Sequence, residues 1–68
     1  MAKTTFAAAL TALKTIVADD APDLLEHPDC NAILSHWLHA PDIRPPLLPE
    51  KLYAERERIF QILQERLQ

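Results

Sequence analysis

The segment HPDCNAILSHWLH, residues 27–39, holds all three histidines and the only cysteine of the chain. Imidazole nitrogens and a thiolate are zinc ligands, and a thiol beside an imidazole is a nucleophile beside its base. The spacing His27-x2-Cys30-x5-His36-x2-His39 resembles a pair of ligand doublets. A structural zinc site needs its ligands to converge on one point, however. On a helix that turns by about 100° per residue, Cys30 falls in the middle of the arc made by Ile33, Leu34, Trp37 and Leu38. His36 is then about 120° and His39 about 180° from that centre. No helix-breaking residue interrupts Asn31 to Ser35, so one ion cannot be reached by all of them. The expectation is a buried cysteine and two solvent-facing histidines, with no metal and no cofactor. His27, Cys30, His36 and His39 remain the candidates for a metal-binding alternative.

Catalysis fares no better on these residues. An activated thiolate needs exposure and a positive environment, whereas Cys30 points into an apolar face next to Asp29. With no glycine anywhere, no phosphate-cradling loop can form. The chain is not expected to be an enzyme. His27-Pro28-Asp29 is similar to the tripeptide of J-domain co-chaperones, where it joins two helices and implies a chaperone partner. In that family a strongly basic helix precedes the tripeptide; here the preceding residues are DDAPDLLE, acidic and broken by proline. The physical reading is that Pro28 and Asp29 start a helix, proline suiting its first position and aspartate its positive end.

The elements that carry this segment follow from the rest of the chain. At 68 residues it forms one domain, and such a domain buries only about 60% of the surface its unfolded chain exposes. A staple or a partner is expected, and one cysteine makes no internal disulfide. A lone thiol also suits a reducing cytoplasm. Ten acidic against seven basic residues leave a net charge of -3, which argues against nucleic acid as a partner. No apolar run reaches the ~20 residues of a membrane span. The absence of glycine disfavours tight hairpins, and six prolines punctuate the chain.

An all-α fold is therefore expected: a small three-helix domain with two long amphipathic helices, a shorter central one, and a proline-rich connector before the last. The first helix is placed at residues 4–18, capped by Thr4 or Thr5, with Phe6, Leu10, Leu13 and Val17 in one stripe. Pro22 starts a single short turn over Leu24, Leu25 and Glu26. The second helix spans 28–39, an extended connector spans 40–48, and the third helix spans 49–67, opened by Pro49. Leu52, Tyr53, Ile59, Phe60, Leu63 and Leu67 form its apolar face. Arg44-Pro45-Pro46 reads as part of the connector rather than as a polyproline ligand, because Pro49 is needed to start the helix.

Two features exceed what a self-contained core explains. Arg56 falls inside the apolar arc of the third helix, either snorkelling to water or crossing an interface. Trp37, Leu34, Leu38, Ile43, Leu47 and Leu48 are many apolar side chains for a short helix and a connector to bury. The function expected is a small cytoplasmic helical protein–protein interaction module, acting as an adaptor, chaperone or regulator. It buries an apolar face against another protein or a second copy, in a homodimer. Trp37, Leu38, Leu47, Leu48, Arg56, Phe60 and Leu63 are the expected contact residues. The alternative is an acidic inhibitor of an enzyme or transcription factor, using Asp19, Asp20, Asp23 and Glu26.

Overall fold

The computed structural model describes residues 5–67, and among them the chain is all helical, with no strand. The first helix, α1, spans Phe6–Asp20. Thr5 caps it, its hydroxyl accepting a hydrogen bond from the Ala8 amide at 3.1 Å and so satisfying one of the free donors of the first turn. Thr4 lies outside the described residues. Helix α1 buries Ala9, Leu13, Ile16 and Val17, a mainly bulky aliphatic face. It runs to Asp20, because Pro22 is what stops it: Ala21, the residue before proline, leaves the helical region at φ -146°, ψ 70°.

Pro22–Leu25 forms α2, one turn with proline in its first turn and Leu24 buried. The chain then reverses through residues 26–29. Here the His27 ring takes part in the backbone geometry, its Nδ1 accepting from the Asp29 amide at 3.0 Å. Helix α3 spans Cys30–His39, so Pro28 and Asp29 belong to the turn that feeds it rather than to its first residues. Cys30, Ile33, Leu34 and Trp37 are its buried face. The ring of His39 in its last turn stacks on Phe6 of α1, centroids 4.5 Å apart and 18° from parallel.

The connector does not run extended as the prolines suggest. Pro45 and Leu48 turn inward and are buried, while Ile43 and Leu47 stay exposed. The Leu48 amide donates to the Pro45 carbonyl at 3.3 Å, which closes a four-residue turn. Leu47 takes φ 73° inside it. The last helical segment is likewise not one helix. It divides into α4, Glu50–Ala54, and α5, Arg56–Arg66, at Glu55 with φ -95°, ψ 12°. Among the described residues five helical segments thus stand where three helices and the short turn after Pro22 were expected. No proline or glycine causes the second break, and Arg56 relieves it by donating from Nη1 to the Tyr53 carbonyl at 3.1 Å.

Helix α1 packs against α2, α3 and α5. Leu13, Val17, Leu34, Trp37, Leu48, Leu52 and Ile59 are completely buried between these elements. Each such side chain contributes about 1.5–3 kcal/mol over exposure. No charged or polar residue is buried among the described residues. The carboxylate of Asp20 ties the C-terminal end of α1 to α5 through Arg58 at 2.7 Å.

Candidate protein-binding surface

The expected contact residues separate into two sets. Trp37, Leu48 and Leu63 are 0 to 3% exposed, so a partner meets them only if the core opens. Trp37 is held there by its indole N–H, which donates to the Pro41 carbonyl at 3.2 Å. The edge-to-face ring of Phe60 packs on it, 5.0 Å between centroids. Leu38 and Phe60 are half-buried at the margin of that core. Arg56 lies over the Tyr53 ring at 4.5 Å. It also pairs with Asp42 at 3.8 Å, which ties α5 to the connector within one chain.

Leu47 alone of the expected contact residues is a large apolar side chain turned to water, 64% exposed. Ile43, from the same connector, is 61% exposed. The turn that carries Leu47 explains how. Pro46 occupies the second position of Pro45-Pro46-Leu47-Leu48, where a type II turn favours proline, and Leu47 the third, where that turn requires positive φ. Glycine or asparagine normally fills that position, since a side chain at positive φ costs about 1–2 kcal/mol. The conformation is fixed from both sides: Pro45 and Leu48 are buried, and Arg44 Nε–H donates to the Leu48 carbonyl at 3.1 Å.

Beside Leu47 runs an open groove of about 220 Å³, floored by Ala32, Ile33, Pro45 and Pro46 and flanked by Asp29 and His36. Sequence reasoning placed neither Asp29, Ala32 nor Pro46 at a surface of this kind. The signal that could have found them is Pro46 followed by a leucine in a chain without glycine, a turn opening with no residue suited to its third place.

The His/Cys cluster disperses as helical geometry requires. Cys30 is a buried free thiol. His36 and His39 are exposed, and His27 is engaged by the Asp29 amide. Among the described residues no group of three or more His, Cys, Asp or Glu side chains is placed to hold a metal ion. A surface pocket of about 260 Å³ is lined by Lys14, Leu25, His27, Pro28, Cys30 and Asn31. The acidic corner is thinner than its sequence, because Asp20 is drawn into its pair with Arg58 while Asp19, Asp23 and Glu26 stay exposed. Among the described residues, no helix is long and apolar enough to cross a membrane. No family model, curated protein or solved structure matches the chain.

Proposed function

We propose that the chain is a small helical protein–protein interaction module that binds by inserting the Leu47 side chain into an apolar site on its partner. One observation carries this reading: a leucine held at φ 73° and 64% exposed, in a turn position that the fold alone would fill with glycine or asparagine. Strain at a non-glycine residue persists where the surroundings impose it, and it clusters at ligand-contacting sites. A turn anchored by the buried Pro45 and Leu48 lowers the ordering cost of binding. The half-buried margin of Leu38 and Phe60 and the exposed Ile43 extend the apolar area available to an adaptor, chaperone or regulator. A free thiol accords with a cytoplasmic setting.

The test is capture of binding partners from a lysate of the producing organism by the wild-type chain and by Leu47→Asp. Loss of a stoichiometric partner with the variant, at unchanged helical circular dichroism, supports the reading; equal capture by both contradicts it. The acidic inhibitor remains a second reading, supported by Asp19, Asp23 and Glu26 standing exposed around one end of α1. A partner that is indifferent to Leu47→Asp and released by salt favours it.

A further inference from the structure

The hydrogen bonds of the connector are of two kinds. Among the described residues, those that join residues 41–48 to a helix land on two consecutive carbonyls. The Trp37 indole of α3 donates to Pro41, and the Tyr53 hydroxyl of α4 donates to Asp42. Arg56 adds a long pair with the Asp42 carboxylate, at 3.8 Å and with that carboxylate 97% exposed, so it contributes little. From Ile43 onward the bonds stay within the connector: the Ile43 amide donates to Ala40, the Leu48 amide to Pro45, and Arg44 Nε–H to Leu48. Pro45 and Pro46 have no N–H to give. Beyond Asp42, burial of Pro45 and Leu48 is what holds this segment against the helices.

From this we infer that residues 42–48 form a strap that opens and closes as one unit, hinged at Pro41 and latched by the Tyr53 hydroxyl on Asp42. The hinge end is the protected one, since Trp37 is completely buried. The latch lies at the surface, where water competes for both of its partners. Strain favours opening: Leu47 at φ 73° relaxes when the turn is released, which offsets part of the burial lost at Leu48. The helices store no such strain, so the strap opens at lower cost than the fold unfolds. Tyr53 is thereby a positioning residue for Leu47, acting through Asp42 and the turn. Its use in binding rests on the reading of Leu47 as a binding residue. The strap also gives Leu48, completely buried when it is closed, a route to a partner that does not need the helices to separate.

Native-state hydrogen exchange of the full chain, read amide by amide by NMR, tests the strap. The reporter is the Leu48 amide, which is bonded to Pro45 only while the turn is closed. Tyr53→Phe keeps the ring beneath Arg56 and removes the latch, and should speed exchange at Leu48 on the order of fivefold. Thr5→Ala is the control. It removes the cap of α1, which an open strap leaves intact, so it should speed exchange at the core amides of Leu13 and Val17 through global unfolding and leave Leu48 unchanged. A Leu48 amide that follows Leu13 and Val17 in both variants means that the connector opens only with the whole fold, and overturns the inference. Indifference of Leu48 to Tyr53→Phe overturns it as well. Neither result decides whether Leu47 binds: if the strap opens as described and Leu47→Asp loses no partner, only its use in binding falls.

Discussion

The indole N–H of Trp37 donates to the carbonyl of Pro41 at 3.2 Å, and this bond fixes where the connector leaves α3. A tryptophan that is completely buried needs a partner for its one polar atom, and the first proline of the connector supplies the acceptor. From there the chain folds back so that Pro45 and Leu48 are buried and Leu47 is not.

Trp37→Phe removes the donor and strands the Pro41 carbonyl, so it should cost about 1–3 kcal/mol in urea denaturation followed by circular dichroism. Trp37→Ala adds a cavity, for about 3–5 kcal/mol in all. In a domain this small that leaves the chain largely unfolded. Unchanged stability in either variant would mean that Trp37 is not the core residue described here.

Leu47→Gly separates stability from binding. It relieves a positive-φ penalty of about 1 kcal/mol and adds about 0.5–1 kcal/mol of unfolded-state entropy, so the melting temperature should hardly move. Association through this turn should nevertheless be lost.

Removing the cap of α1 has a local cost. Thr5→Ala leaves the Ala8 amide without its acceptor and should destabilise the fold by about 1 kcal/mol in thermal or urea unfolding. Thr5→Ser should recover most of that.

Much of this architecture was legible because the relevant physics is local. Proline stops α1 wherever it is placed, and the 3.6-residue period puts Cys30 inside and His36 and His39 outside whatever the tertiary fold. The break at Glu55 was not legible, since Ala54, Glu55 and Arg56 all favour helix. Nothing in the structure accounts for it, since Leu52 and Ile59, buried on its two sides, are seven residues apart and would share one face of an unbroken helix as well. The connector misled for a reason that the structure shows. Its prolines suggest an extended chain, yet burial of Pro45 and Leu48 pulls it into a turn and drives a leucine into a conformation that no single-residue preference predicts. Trp37 and Leu48 were expected among the contact residues on hydrophobicity alone, which cannot distinguish a side chain that closes a core from one that closes an interface.

Cys30 should be chemically silent in the folded chain. Its thiol is buried in the apolar face of α3, so an exposed-thiol reagent should react at the rate of unfolding and become fast only in denaturant. Rapid labelling under native conditions would show that the reagent reaches the thiol through the pocket that Cys30 lines with Lys14 and His27.

The pairing of Arg58 sets a pH expectation. Hydrogen bonds that it donates, first to Glu55 and then to Asp20, push its guanidinium further above arginine's already high ordinary value. A raised value in the fold gives a contribution fully present below the unfolded-state value and lost only as pH rises past it, so Arg58 itself adds no pH dependence near neutrality. Arg58→Gln should lower the melting temperature in dilute buffer by an amount that shrinks as salt is added, the pair being exposed.

The most direct measurement is the association of wild-type and Leu47→Gly chains compared side by side by analytical ultracentrifugation, alone and with whatever partner the wild type captures. Association by the wild type, and its loss in a Leu47→Gly chain that melts like the wild type, is the predicted result. Equal association by the two chains would contradict the claim that this strained, exposed leucine is present for binding.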